Sequence, residues 1–274
     1  MAVPLRSLRA QLRKIPLAAY WYHRLRELLV PGGSMSATPY GFRMAGHAQM
    51  QAGRFEPDEI ALTQSLLAER DVLVDVGANV GLYTCLARSL GRRALAVEPL
   101  PTNLRLLRAN LAANGWSDTE VVVAGLAQEA GSAELFGTDT GASLVPGWAS
   151  LPRRTMLRRT IRLTTLDALL EHRFVGERLL IKADIEGAEY AMLLGAARTL
   201  ERDPAPAWLV EICLTENFPD GPNPDYVATF DQFFSRGYEA RAANSAARVA
   251  REDVLRWAAQ GRSDSGSYNY LFTK

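Results

Sequence analysis

Apolar runs of strand length alternate with segments of helical periodicity from residue 71 onward. The runs occupy residues 72–74, 94–97, 121–123, 179–181, 208–210 and 268–272, and runs of this length predict strands, most of them buried. After the first run, Leu82, Leu86 and Leu90 recur every four residues, which predicts one face of a helix that Gly91 ends. Strands that alternate with helices in this way predict an α/β doubly wound sheet.

Further helices and one interruption complete the pattern. Thr102 is predicted to cap a helix with leucines at positions 104, 107 and 111, because threonine is a good N-cap residue. Three more helices are predicted, one beginning near Gly187 and two spanning about residues 226–234 and 252–259. Residues 130–165 break the alternation with β-like pieces separated by glycine and proline, which predicts a hairpin-like insertion.

The composition is that of a folded protein with almost no net charge. Of 274 residues, 48% are hydrophobic and 22% are charged, which excludes wholesale disorder. Lys and Arg number 31 against 30 Asp and Glu, so no net field attracts nucleic acid, and we expect no such partner. The two cysteines, Cys85 and Cys213, cannot form a disulfide framework, and they favour a reducing, cytoplasmic location.

The N-terminal segment departs from this charge balance. Residues 1–30 contain six Lys or Arg and one acid, a charge of +5, while the remainder has a charge of −4. We predict a basic helical extension over residues 1–50 and a main domain over residues 51–274. One interpretation is that the basic helix contacts a membrane surface or a partner subunit, as in a homo-oligomer. The other is that it packs on the main domain. The packed helix is the simpler interpretation.

The candidate chemistry begins at the turn after the first strand. Residues 75–81 read Asp-Val-Gly-Ala-Asn-Val-Gly, and doubly wound sheets bind ligands at the carboxyl ends of their strands. Gly77 allows a ligand to approach closely, and Gly81 allows the helix to pack tightly on the strand. The second strand ends in Glu98, 21 residues after Gly77, where an acid can bind ribose hydroxyls. The combination predicts an adenosine-containing ligand, and the alternative is an ordinary turn with a capping carboxylate.

The charge of this turn discriminates between adenosine-containing ligands. A dinucleotide site usually has a middle glycine, because the pyrophosphate presses onto the helix N-terminus, but Asn79 occupies that position. Asp75 would repel a pyrophosphate, whereas it suits the sulfonium and ammonium of S-adenosylmethionine. We therefore favour a methyl donor. An NAD(P)-dependent oxidoreductase and a non-catalytic binding module with a retained nucleoside pocket are the alternatives.

The chain also resembles a known family over roughly residues 50–274. Residues 74–84 read Val-Asp-Val-Gly-Ala-Asn-Val-Gly-Leu-Tyr-Thr, which is similar to the first motif of the FkbM family of S-adenosylmethionine-dependent methyltransferases. A further match lies upstream at Glu56-Pro57, and others follow in order at Val97-Glu98-Pro99, Asn103, Asn110, Leu166-Asp167, residues 181–189 and Glu211-Ile212. The block Lys-x-Asp-x-Glu-Gly-Ala-Glu, residues 182–189, is the more specific half, because many folds share the glycine turn.

This resemblance implies a class I methyltransferase fold and a reaction. The fold has a Rossmann-like, seven-stranded sheet with an antiparallel last strand, and the reaction is O-methylation, often of sugar or secondary-metabolite hydroxyls. The partner is then a small-molecule or glycan acceptor. By position, the resemblance implies that the donor contacts Asp75, Gly77, Ala78, Asn79, Gly81, Tyr83, Glu98, Pro99 and Asn103. From topology alone, Gly125 and Leu126 are predicted neighbours of the adenine.

Acids after the fourth strand are the leading candidates for catalysis. Methyl transfer needs the acceptor oxygen, the methyl group and the sulfur in line, and a hydroxyl acceptor needs a base. We predict Asp184 and Glu186 as base or acceptor-positioning residues, with Glu211 third. The alternative is that one of them caps the helix beginning at Gly187. Paired carboxylates can also hold a divalent cation, but no spacing here demands one, so metal binding stays open.

The insertion supplies further candidates for the acceptor side. It contains a dense basic stretch, Arg153, Arg154, Arg158, Arg159 and Arg162. This stretch is interpreted as a flap that grips an anionic acceptor or, more simply, as a solvated hairpin face. Ser143, Trp148 and, on the last strand, Asn269 are also candidates to line the acceptor pocket.

Overall fold

The computed structural model describes residues 34–137, 141–148, 158–245 and 247–274. Its strands are β1 (Ser36–Ala37), β2 (Arg43–Met44), β3 (Val72–Val76), β4 (Arg93–Val97), β5 (Glu120–Val122), β6 (Gly125–Leu126), β7 (Gly131–Phe136), β8 (Arg158–Thr164), β9 (Leu179–Ala183), β10 (Ala207–Glu211), β11 (Glu239–Ala242), β12 (Arg248–Val249) and β13 (Asn269–Thr273). Its helices are α1 (Ala48–Gln51), α2 (Pro57–Ala68), α3 (Leu82–Ser89), α4 (Pro101–Ala113), α5 (Leu166–Leu170), α6 (Glu189–Leu194), α7 (Ala197–Leu200), α8 (Tyr226–Phe234) and α9 (Arg251–Gln260). The basic segment of residues 1–30 and the arginines at positions 153 and 154 lie outside the described residues.

One large sheet organises the fold and confirms the α/β doubly wound prediction. Its strand order is β12-β11-β13-β10-β9-β3-β4-β5. The strands β10, β9, β3, β4 and β5 pair in parallel, whereas β13 pairs antiparallel with both β10 and β11. Every residue of β3 and β9 is buried, as expected of parallel strands with both faces covered. The predicted count of seven strands is short by one, because the two-residue β12 pairs with the edge of β11.

The predicted hairpin-like insertion forms a second, smaller sheet with the order β6-β8-β7. Strands β7 and β8 pair antiparallel, with Ser132 opposite Arg162 and Phe136 opposite Arg158. The exposed Arg158 guanidinium lies 3.7 Å from the carboxylate of Glu134 and over the ring of Phe136. On the other face, Leu135 and Ile161 are buried. The hairpin therefore forms an apolar wall beside the carboxyl end of β4.

Residues 34–50, within the predicted extension, are joined to the main domain by two asparagines, one in the last turn of α4 and one at its C-cap. The Asn110 side chain accepts the Ala45 N–H at 2.7 Å and donates to the carbonyls of Ala45 and Val80. Asn114 makes the same two-way contact with the backbone of Arg43. In the described part of the chain, no helix has the length and apolarity needed to cross a membrane.

The N-terminus of α4 corrects one prediction. Its N-cap residue is Leu100 and Pro101 occupies the first turn, so Thr102 is not the cap. Proline suits the first helical position because its φ is already helical and its missing N–H needs no partner there. The proline was therefore the stronger signal for the start of this helix.

Candidate active site

A cleft of about 580 Å³ lies at the carboxyl ends of β3, β4 and β9. This first cleft has a polar side and an apolar side. The polar side includes Gly77, Asn79, Glu98, Asn103, Asp184 and Glu186. The apolar side includes Pro99, Leu100, Leu126, Leu135, Leu144 and Ile161. Its mixed lining is typical of small-molecule sites.

The glycine turn owes its shape to close backbone contacts. Gly77 has a φ of 81°, and a Cβ atom there would lie 2.0 Å from the carbonyl oxygen of Asp184. Gly81 has a φ of 87°, and a Cβ atom there would lie 3.1 Å from Leu107. Gly77 therefore requires glycine for packing as well as for φ, whereas Gly81 requires it for φ. Gly81 does not line the first cleft.

Glu98 holds the turn and the start of α4 together. Its side chain is 4% exposed, and its two oxygens accept the N–H groups of Asn79 at 2.9 Å and Leu100 at 2.8 Å. Burial raises the pKa of Glu98 to about 7, although these backbone hydrogen bonds oppose the increase. A carboxylate has about four acceptor positions. The Asn103 side chain takes a third position through its own hydrogen bond to Glu98. One position remains for a ligand hydroxyl, so the ribose contact stays a prediction that this geometry permits.

Besides Gly81, three other residues predicted to contact the donor lie outside the first cleft. Asp75 is 2% exposed, lines neither cleft described here, and accepts the Thr84 hydroxyl at 2.5 Å. The side chain therefore fixes α3 to β3 beneath the turn. Ala78 and Tyr83 line a second cleft instead of the first. The sequence places these residues next to the turn, but it does not say toward which side each one points.

The second cleft, of about 840 Å³, opens next to the first. Its lining includes the apolar Met50 and Phe55 and the polar residues Glu56, Tyr83, Lys182, Glu211 and Asn217. Asn79, Asp184 and Glu186 line both clefts. The two cavities therefore meet at an amide and two carboxyl groups, and the structure brings Asp184, Glu186 and Glu211 together around this junction.

A buried lysine sets the charge of Asp184. Lys182 is 3% exposed, and its Nζ lies 3.1 Å from Asp184 Oδ2 and 4.4 Å from the Tyr83 ring centroid. Burial alone would lower the pKa of Lys182, but Asp184, Glu59 and Glu56 together raise it. Burial also opposes ionisation of Asp184, yet Lys182 holds the pKa of that carboxyl below its usual value. Both members of the pair are therefore charged.

Glu186 and Glu211 differ from Asp184 in protonation. Burial, followed by the charge of Asp184, raises the pKa of Glu186 to about 7. Trp148 Nε1 donates to Glu186 Oε2, and this hydrogen bond favours the ionised form. Burial and the charge of Asp184 raise the pKa of Glu211 well above its usual value, and the two carboxyl groups share a hydrogen bond. These opposite shifts favour Asp184 as the ionised member and Glu211 as the protonated member of the pair.

The capping alternative is wrong for both Asp184 and Glu186. Helix α6 has Ala188 as its N-cap residue, without a side-chain cap. The N–H groups of Ile185 and Gly187 instead donate to Glu189 Oε1 at 3.2 and 3.1 Å. Glu189 thus satisfies the loop and leaves the two preceding acids available at the junction.

The acids at the start of α2 were not among the predicted site residues. Tyr83 Oη donates to Glu56 Oε2 at 2.7 Å, and Glu59 Oε1 accepts a hydrogen bond from Asn269 Nδ2. Burial raises the pKa of Glu59 to about 7, although Lys182 opposes the increase. The available signal was the Glu56-Pro57 match, because proline in the first turn of a helix fixes where the preceding acid lies.

The residues present fit S-adenosylmethionine. Glu98 offers one remaining acceptor position to a ribose hydroxyl, the wall of Leu126, Leu135 and Ile161 suits a flat apolar base, and the carboxyl groups at the junction suit a cation. No group of three or more His, Cys, Asp or Glu side chains suited to a metal ion occurs among the described residues.

A comparison with known protein families agrees with this fit, and several solved structures are similar to the chain. The chain matches the methyltransferase FkbM domain over residues 75–240, more than half of its length. The O-methyltransferase from Bacillus cereus in complex with SAH is 10% identical and has a TM-score of 0.47, over 97% of this chain and 96% of that chain. The cofactor-bound Rv0187 from MTB is 17% identical with a TM-score of 0.42, over 99% and 97% of the two chains. Precorrin-6y C5,15-methyltransferase from Geobacter metallireducens GS-15 is 17% identical with a TM-score of 0.43, over 75% and 85%.

No curated protein has a significant sequence match to this chain. The family match spans both the glycine turn with Glu98 and the later block with Asp184 and Glu186. A dinucleotide-dependent oxidoreductase is thereby set aside. The chain belongs to the FkbM methyltransferase family, and it is an S-adenosylmethionine-dependent methyltransferase.

Proposed function

We propose that the protein methylates a hydroxyl group of a sugar or secondary metabolite that binds in the second cleft. The observation that supports this most directly is the junction, where Asn79, Asp184 and Glu186 line both clefts. Bound S-adenosylmethionine supplies an electrophilic methyl group. An acceptor in the second cleft then approaches the first cleft beside two carboxyl groups, which is where a hydroxyl needs a base.

Backbone conformation supports a functional role for the second cleft. Five non-glycine residues in the described part of the chain have a positive φ. Four of them line the second cleft, namely Glu56, Asn79, Glu186 and Asn217. Such conformations cost about 1–3 kcal/mol each and concentrate at active sites and ligand-binding sites.

The two junction acids suit different tasks. Glu186 has a pKa of about 7, which is close to the value at which a general base works best at neutral pH. Asp184, held ionised by Lys182, is a weaker base but a constant hydrogen-bond acceptor. We assign Glu186 to removal of the hydroxyl proton and Asp184 to orientation of that hydroxyl.

Mass spectrometry with a trideuteromethyl-labelled donor tests this assignment. The purified protein is incubated with a library of sugars, glycosides and hydroxylated metabolites, each paired with an analogue in which the hydroxyl is replaced by hydrogen. We expect label on oxygen in the hydroxylated member of a pair and none in its deoxy analogue. Label found only on nitrogen or carbon would contradict O-methylation, while leaving the methyltransferase assignment intact.

A further inference from the structure

One buried cation faces several acids in the second cleft. Among the described residues that line this cleft, Lys182 is the only lysine or arginine. The acids and the phenol that act on it or on Asp184 come from every surrounding element: Glu56 and Glu59 of α2, Tyr83 of α3, Asp75 of β3, Glu211 of β10, and Glu186 and Glu189 around the start of α6. A buried ammonium carries a desolvation cost that an apolar side chain of similar length would avoid. Its presence here therefore needs an explanation.

The placement of Lys182 directs it at one carboxyl group. Lys182 and Asp184 are two residues apart at the end of β9, so the alternation of a strand places both side chains on the same face. The resulting contact is 3.1 Å long. On the opposite side, the ammonium lies over the ring of Tyr83, whose hydroxyl donates to Glu56 and Glu59. The lysine is thus held between Asp184 and the acids of α2.

The carboxyl group of Asp184 contacts a second carboxyl group, which comes from the adjacent strand. Glu211 ends β10, which pairs with β9, and its carboxyl group is hydrogen-bonded to that of Asp184. Two carboxyl groups in such contact cannot both be ionised, so one of them must hold the proton. Both are partly buried at the junction. The nearest positive charge decides which one stays protonated.

We propose that Lys182 is a positioning residue that keeps Asp184, and not Glu211, as the negative member of this pair. The Glu211 proton then donates to Asp184, and the remaining acceptor positions of Asp184 face the junction. This role rests on the proposed function of the second cleft, because the oriented group is the acceptor hydroxyl. Lys182 itself does not touch the reacting atoms.

The carboxyl titrations test the proposal without any acceptor. In protein labelled with ¹³C at the aspartate side-chain carboxyl, the Asp184 signal is identified by its loss in Asp184→Asn. In the wild type, we expect Asp184 to stay ionised below the ordinary aspartate pKa of about 3.9. In Lys182→Met, loss of the neighbouring charge should raise its midpoint by about 1–3 pH units. Lys182→Arg, which keeps the charge, should stay close to the wild type.

Kinetics separate this role from a merely structural one. We expect Lys182→Met to lower kcat about tenfold or more at neutral pH with an unchanged KM for the donor, and Lys182→Arg to recover most of kcat. A wild-type Asp184 that titrates normally, or a Lys182→Met variant that loses thermal stability while the Asp184 midpoint stays fixed, would overturn the proposal. If Lys182→Met does not fold, the wild-type titration still decides. Absence of methyl transfer to every hydroxyl would overturn the proposed function instead, since the titration needs no substrate.

Discussion

The two clefts hold their acids in different ways. In the first cleft, two backbone N–H groups and the nearby Asn103 side chain fix Glu98, and none of them lies more than 19 residues away in sequence. Around the second cleft, side chains fix the acids. The Tyr83 hydroxyl joins the cleft residue Glu56 to Glu59, whose hydrogen bond from Asn269 spans 210 residues. The first arrangement gives a rigid shape that suits a constant ligand. The second gives coupled charges, so a single substitution there changes the pKa values of its neighbours.

This difference assigns binding to one cleft and proton transfer to the other. Glu98 is nearly buried and already accepts two backbone hydrogen bonds, so its contribution is a fixed set of acceptor positions. Asp184, Glu186 and Glu211 have different protonation states within one small region. Environments that move the pKa values of neighbouring acids apart are typical of acid–base chemistry. Substitutions should therefore affect donor affinity in the first cleft and kcat at the junction.

The largest effect is expected for Glu186→Gln. Glutamine keeps the size of the side chain and an acceptor oxygen for Trp148, but it cannot take a proton. We expect kcat to fall by about 10²–10⁴-fold, the usual contribution of a general base, while calorimetry shows S-adenosylhomocysteine affinity close to the wild type. Glu129→Gln, at an exposed position, is the matched control and should change neither value. A wild-type kcat in the Glu186→Gln variant would show that another group is the base.

The next effect is expected for Glu98→Ala in the first cleft. Above the Glu98 pKa of about 7, loss of a hydrogen bond from a ribose hydroxyl to this charged carboxylate should cost about 1.5–3 kcal/mol, which is about a 10–150-fold loss of donor affinity. The variant should also lower the thermal stability, because the N–H groups of Asn79 and Leu100 lose their acceptor. Calorimetry with S-adenosylhomocysteine measures the affinity. Glu98→Gln is the control, since it keeps one acceptor oxygen and should lose less.

Unchanged donor affinity in Glu98→Ala would mean that this carboxyl only supports the turn. A kcat that falls at saturating donor would mean that the two clefts are not separable in function. Either result would contradict the assignment of donor binding to the first cleft and of proton transfer to the second.

The sequence predicted the first cleft better than the second. The groups that form the first cleft are close in strand order, whereas those of the second are brought together by side chains far apart in sequence. Gly77, Asn79 and Glu98 lie at the ends of adjacent parallel strands, and strand order alone brings such ends together. Lys182 of β9 lies within the block that resembles the family, but no pattern indicated that its ammonium group faces Glu59 of α2. Whether the Asp75 side chain points toward the cleft or toward α3 depends on the pleating of β3, and composition does not reveal this. The start of α4 was misassigned because Thr102 was given more weight than Pro101.

The smallest effect is expected for Trp148→Phe, which tests a contact from the insertion to the junction. The indole of Trp148 donates to Glu186 and packs against Gly187, where a Cβ atom would lie 2.6 Å from the ring. Phenylalanine keeps most of the ring but removes the donor, and with it a hydrogen bond that favours the ionised carboxylate. Because the folded pKa of Glu186 is already raised to about 7, the base is active above that pH and lost below it. The variant should move this acidic limb of kcat/KM upward by about one pH unit, since a hydrogen bond to a charged group is worth about 1.5 kcal/mol or more. Activity at pH 7 then falls by less than about tenfold and recovers near pH 9. A limb that stays in place, measured over the same pH range as the wild type, would show that Trp148 packs against the loop without influencing the base.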